Sequence, residues 1–205
     1  WVRNTAALQD IEKRYFPNKK LRTIQEFQEY LPILDKDSYR GQYSLEALTK
    51  GGKLPHAGSF YKSAGTSGHP TLWVESVEEE LEFDKAAALM ARLMVDMVGH
   101  EYVILNCWAL GSWPTGVNFF ASARFQGKIV NLGTNIKETF EVIKILGPKY
   151  RYLLVGYPPF VYHVICSAAA EGIDLKQFHF DVITGGEGFV EEWRDTLMEK
   201  LGKDR

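Results

Sequence analysis

Four short apolar runs in the second half of the chain, separated by segments of helical character, constrain its fold more than any other feature. They are YVILNC at residues 102–107, KIVNL at 128–132, RYLLV at 151–155 and FDVIT at 180–184. Each has the length of a strand, and their near-continuous apolar character is that of strands covered on both faces. The segments between them read as helices. NIKE at residues 135–138 caps one that stops near Gly147 and Pro148. Pro158 opens another that ends near Gly172, and Val190, Trp193, Leu197 and Leu201 mark the inward stripe of a last one. Strands alternating with helices imply parallel crossover units. The expected fold class is therefore α/β, a mostly parallel β-sheet flanked by helices, with ligand loops at the carboxyl ends of its strands.

Upstream the pattern differs. Residues 1–60 read as a helical leader with no evident strand, where TIQE at 23–26 is a capping box and Asp35 caps a short segment before Tyr39. Gly51, Gly52 and Pro55 break the chain before the α/β part, residues 61–205. SVEE at 76–79 is a second capping box, opening the longest helix, from Val77 to about Val98, with Leu81, Ala88, Leu89, Arg92 and Met97 in helical rhythm.

Charge and cysteine usage exclude several function classes. With 24 basic and 26 acidic residues the net charge is -2, so no global positive field exists to hold nucleic acid or an anionic membrane. No apolar run approaches the ~20 residues that a membrane-spanning helix needs. Cys107 and Cys166 both sit in apolar runs and are too few for a disulfide framework, which fits a cytoplasmic protein. The oligomeric state is left open, a homodimer included.

The chemistry concentrates in residues 61–71, YKSAGTSGHPT. Gly65 and Gly68 can turn successive backbone amides toward one anion, and Ser63, Thr66, Ser67 and Thr71 add hydroxyl donors. No Gly-Lys-Ser/Thr follows, so this is not the GxxxxGK[ST] nucleotide loop. On composition alone a surface turn and a phosphate cradle both remain.

The order of the residues goes further. SAGTSGHPT at 63–71 resembles the signature loop of adenylate-forming enzymes, in the form found in the phenylacetate-CoA ligase family. Four further segments resemble that family in the expected order: LPILDKDSY at 31–39, NCWALG at 106–111, YPPF at 157–160 and GGEGFVEEWR at 185–194. The resemblance implies part of the large amino-terminal domain of an ATP-dependent acid–thiol ligase. Such an enzyme activates a carboxylate, phenylacetate or a related aryl acid, as acyl-AMP, then passes the acyl group to coenzyme A. It implies ATP, magnesium and coenzyme A, a small carboxylic acid as partner, and no enzyme nucleophile. Catalysis would rest on alignment and charge stabilisation.

Residue by residue, the resemblance assigns Ser63, Ala64, Gly65, Thr66, Ser67, Gly68, His69 and Thr71 to ATP and pyrophosphate. Gly185, Gly186 and Glu187 would line the adenine site, and Trp108, Gly111, Trp113, Tyr157 and Pro158 the acyl pocket. No metal ligand and no catalytic residue are assigned. His69 stands where lysine is usual, exchanging a permanent charge for a group that titrates near neutrality. The family's Tyr-Gly-x-Thr-Glu motif and its lysine-bearing terminal domain are absent from these 205 residues, so the chain reads as a fragment that does not turn over alone. The alternative is a non-catalytic nucleotide-binding or interaction remnant of the same fold.

Other groupings have plainer readings beside the chemical ones. His163 and Cys166 could share a metal from one helix, but lack a second pair. His179 and Asp181 face the same side of a strand, as an acid–base pair or as a surface pair. Cys107 reads as a core thiol before a nucleophile, and Glu75, Glu78, Glu79, Glu80 and Glu82 as a solvated helix start. Trp108, Trp113, Phe119 and Phe120 are either a substrate-facing aromatic wall or packing.

Overall fold

The computed structural model describes residues 4–63 and 70–203, and the chain divides into the units Trp1–Val77 and Glu78–Arg205. In the first unit, α1 (Ala6–Tyr15) starts where the Thr5 hydroxyl accepts from the Leu8 amide, and it buries Ala7 and Ile11. The capping box at Thr23 and Glu26 forms as the sequence indicates and opens α2 (Ile24–Tyr30). Asp35 caps a single π-type turn, Lys36–Arg40, which is followed by the one-turn α3 (Leu45–Leu48). The Tyr43 hydroxyl donates to Asp10 at 2.7 Å, tying the turn region to α1.

A β-hairpin completes this unit. β1 (Gly58–Lys62) pairs antiparallel with β2 (Leu72–Ser76), Lys62 opposite Leu72 and Tyr61 opposite Trp73. β1 thus begins inside the stretch that reads as strand-free. Its residues carry little periodicity of their own, and its strand state rests on a partner lying beyond the glycine-rich loop. Tyr61, 3 % exposed, packs on the Trp73 ring.

The second unit is the α/β sandwich that the apolar runs predict. α4 (Val77–Met94) leads to β3 (Tyr102–Asn106), followed by α5 (Pro114–Ala123), β4 (Lys128–Asn131), α6 (Ile136–Leu146), β5 (Arg151–Gly156), α7 (Pro158–Ser167), β6 (His179–Thr184) and α8 (Glu191–Leu201). The sheet order is β4-β3-β5-β6, with every neighbouring pair parallel. The two central strands are those with the longest apolar runs, and all of β3 is buried.

Alternate side chains face opposite layers. Val103, Leu105, Tyr152, Leu154 and Phe180 pack with Phe140 and Ile143 of α6, Val161 and Val164 of α7, and Leu197 and Leu201 of α8. Tyr102, Ile104, Leu153 and Val155 pack instead with Ala91 of α4, Ala123 of α5 and Met97. Each such aliphatic side chain stabilises the sandwich by about 1.5–3 kcal/mol. Helix on both faces is therefore a consequence of continuous, not alternating, apolar strands.

One boundary differs from expectation. α4 stops at Met94 instead of reaching Val98, because Asp96 forms a turn in which its carboxylate accepts from the Gly99 amide at 3.0 Å. α5 begins at Pro114, straight after Trp113 of the expected acyl pocket. Proline at the first helical position, as here, is preorganised for helix. Gly116 is required by contact: a Cβ there would lie 2.4 Å from the Ala109 carbonyl oxygen.

Candidate functional site

The carboxyl ends of the parallel strands carry most of the residues singled out by sequence. β3 ends at Asn106, which has no solvent exposure. Its Nδ2 donates to the Gly116 carbonyl at 2.9 Å and to Asn131 Oδ1 at 2.8 Å, and its Oδ1 accepts from the Trp108 amide at 3.4 Å. Its backbone carbonyl accepts from the Leu132 and Gly133 amides. One buried amide therefore joins the end of β3, the first turn of α5, the end of β4 and the loop bearing Trp108.

Trp108 meets the segment after β6. A side-chain carbon built on Gly185 would lie 3.5 Å from Cη2 of Trp108, and one on Gly186 3.9 Å from Cζ3. Gly186 has φ of 85°, a conformation that side chains disfavour. The indole thus borders the two glycines to which the resemblance assigns adenine. Glu187 is exposed, and the acidic residues in the first turn of α8 are Glu191 and Glu192.

The other residues expected in the acyl pocket follow the central strands. Gly111 lies in the loop after β3 with φ of 91°, and Trp113 precedes α5 as its N-cap residue, 36 % exposed. Tyr157 is the N-cap residue of α7, its ring stacked 6.2 Å from that of Phe160. Pro158 is the first residue of α7 and is buried, so its structural part is to start that helix. Phe119 packs against the core, and the Arg124 guanidinium lies over the Phe120 ring. Sequence reasoning missed Asn131, whose only signal was its place at the end of a predicted strand.

In the first unit, Ser63 and Thr71 stand at the open end of the hairpin. The Thr71 amide donates to Ser63 Oγ at 3.0 Å, the Ser63 amide donates to the Thr71 carbonyl at 3.0 Å, and the two hydroxyls are 3.1 Å apart. This double clasp brings the two ends of the loop together. Ala64, Gly65, Thr66, Ser67, Gly68 and His69 lie outside the described residues.

The remaining candidates resolve into structural roles. Cys107 is fully buried, its Sγ 3.8 Å from Thr139 Oγ1, and burial pushes its thiol up to about 12, the opposite of an activated nucleophile. Asp181 accepts from Tyr102, Arg151 and Lys203 at the amino-terminal end of the sheet, away from the carboxyl ends of the strands. His163 Nδ1 lies 3.4 Å from Ser167 Oγ within α7. Glu75 accepts from the Trp73 indole, and Glu78, Glu79 and Glu80 form the first turn of α4. Among the described residues no three His, Cys, Asp or Glu side chains are grouped to hold a metal, and no helix is long and apolar enough to cross a membrane. A cleft of about 400 Å³ lined by His100, Tyr102, Arg124 and Lys128 also lies at the amino-terminal end of the sheet, remote from the strand ends where this fold places ligands.

No protein-family pattern and no curated relative matches the chain. Solved structures do. 2-Hydroxyisobutyryl-CoA ligase in complex with 2-HIB-AMP and CoA, in the thioesterification state, superposes with a TM-score of 0.74 at 17% identity, over 98% of this chain and 44% of that one. An open conformation of the same ligase with both ligands gives 0.69 at 14% identity, over 95% of this chain and 49% of that one. The chain thus spans just under half the length of these ligase chains. At such identity the likeness establishes the fold, α/β with a parallel four-stranded sheet flanked by helices.

Proposed function

We propose that this chain is the nucleotide- and acid-binding part of an ATP-dependent acid–CoA ligase that activates a carboxylate as acyl-AMP. The observation that carries the reading is the adjacency of Trp108 to Gly185 and Gly186 at the carboxyl end of a sheet shared with an acyl-CoA ligase. A flat base needs a strip of backbone without side chains, and two consecutive glycines supply one. An apolar acyl group needs an aromatic wall beside it, and Trp108 is that wall. The hairpin loop between Ser63 and Thr71 would hold the departing pyrophosphate through amides and hydroxyls.

The acyl acceptor is coenzyme A and the acid is aryl, phenylacetate or a close relative, a choice supported by the resemblance of five segments and by the aromatic loops. ATP would enter with magnesium, and no magnesium ligand is assigned to this chain. The test is calorimetric binding of ATP and of phenylacetyl-sulfamoyladenosine, a non-reacting mimic of the acyl-adenylate, alongside the same mimic carrying 2-hydroxy and fatty acyl groups. Tighter binding of the mimic than of ATP supports the reading. Absence of binding by both overturns it, and nucleotide binding with no dependence on the acyl group favours a non-catalytic nucleotide-binding module.

A further inference from the structure

Asn106 is an amide where an aliphatic residue would suit the packing. It ends a strand whose every residue is buried, beside Leu105 and Cys107, neither of them exposed. Each polar group of a buried amide left unpaired is costly, so an amide in this position requires partners. It has them on all sides. Nδ2 faces two oxygens, those of Gly116 and Asn131, and Oδ1 faces the Trp108 amide. Only this orientation works, because a flipped amide would set Oδ1 against two acceptors.

We infer that Asn131 and Asn106 form a positioning pair that, through the Trp108 backbone, holds the indole against Gly185 and Gly186 and so sets the affinity for an adenosine-bearing ligand. The inference rests on the ligase reading for its ligand, but its geometry stands apart from it. Asn131 is exposed and contributes an acceptor oxygen to the pair. Remove that oxygen and Asn106 loses one of its two restraints on Nδ2, which frees it to rotate away from the Trp108 amide. Gly116 alone cannot fix the amide plane. The chemistry makes the pair asymmetric: aspartate at 131 still accepts, whereas aspartate at 106 cannot donate to either oxygen.

The test uses protein labelled with 15N at the tryptophan indoles, the Trp108 resonance being assigned by its loss in Trp108→Phe. In Asn131→Leu and Asn106→Ser we expect the Trp108 resonance to move while those of Trp73 and Trp193 stay. In Asn131→Asp it should remain near its wild-type position. Affinity for phenylacetyl-sulfamoyladenosine should fall about two- to tenfold in Asn131→Leu, as for one lost hydrogen bond, and return in Asn131→Asp. Should Asn106→Ser fail to fold, the Asn131 variants at an exposed position carry the comparison. An unmoved Trp108 resonance in folded Asn131→Leu, or equal impairment in Asn131→Asp and Asn131→Leu, overturns the inference. If wild-type protein binds no adenosine compound, the ligase reading fails, and the resonance comparison still decides the positioning role.

Discussion

The Tyr102 hydroxyl donates to the Asp181 carboxylate at 2.6 Å, joining the first residue of β3 to β6 across the intervening strand β5. β5 contributes Arg151, whose Nε lies 3.2 Å from the same carboxylate, and Lys203 beyond α8 approaches its other oxygen at 2.7 Å. Burial alone would raise the Asp181 pKa, but donors from Lys203, Tyr102 and Arg151 outweigh it and hold the carboxyl below its ordinary value. Stability from this group is thus present above the unfolded-state value of ~3.9 and lost as pH falls through the lower folded value. Asp181→Asn should cost about 1.5–3 kcal/mol at neutral pH and flatten the acid limb below about pH 4, read from urea midpoints.

The alkaline limb follows from the other member of the same contact. Burial, then the bond to Asp181, pushes the Tyr102 phenol up to about 12. A raised pKa stabilises fully below the unfolded value of ~10, and that contribution disappears as pH rises toward the folded value. Tyr102→Phe should therefore shrink the loss of stability between about pH 10 and the folded value, although burial gives Tyr152 a similar shift that remains in the variant.

Gly116→Ala separates helix propensity from packing. In an open helix interior the change would stabilise by about 0.8–1 kcal/mol. Here the added carbon would sit 2.4 Å from the Ala109 oxygen, a backbone atom, and overpacking of that kind costs about 1–3 kcal/mol. We expect net destabilisation, measured by thermal melting. A rise in Tm would show that α5 can move away from the loop.

Gly185 and Gly186 should differ although adjacent. A Cβ on Gly185 meets Trp108 at 3.5 Å, ordinary van der Waals distance, so Gly185→Ala should leave Tm nearly unchanged. Gly186 has φ of 85°, and Gly186→Ala should cost about 1–2 kcal/mol from backbone strain. On the ligase reading both substitutions weaken ATP binding, because each puts a methyl group on the strip that would take the base.

Alkylation tests the assignment of Cys107 to the core. With its thiol buried and its pKa up to about 12, iodoacetamide at pH 8 should modify Cys107 only under denaturing conditions, as followed by peptide mass spectrometry. Rapid modification of the native protein would mean that the strand end opens to solvent.

Much of this was legible in the residues. The four strands lie within one residue of the runs that predict them, and the helix beginning after Asn135 and the one beginning at Pro158 start where their caps indicate. The hairpin and α5 were not. β1 is a strand because β2 pairs with it, and the close approach of the Ala109 carbonyl to Gly116 of α5 joins residues that local propensity does not relate. Cap chemistry and continuous apolarity act over a few residues, so a reader of the chain can see them. Pairing and close approach depend on segments far apart, which the chain does not display in order.

The same division holds at the site. By itself the sequence determined the order and type of the α/β elements other than α5, and which loops carry glycine, hydroxyl and aromatic residues, because propensity, capping and turn chemistry are local. Only the tertiary structure decided the strand order β4-β3-β5-β6, and with it the meeting of Trp108 with Gly185 and of Asn106 with Asn131. The physical reason is that a parallel sheet brings the carboxyl ends of its strands to one edge, and which loops become neighbours there is set by burial of whole faces, not by any one segment.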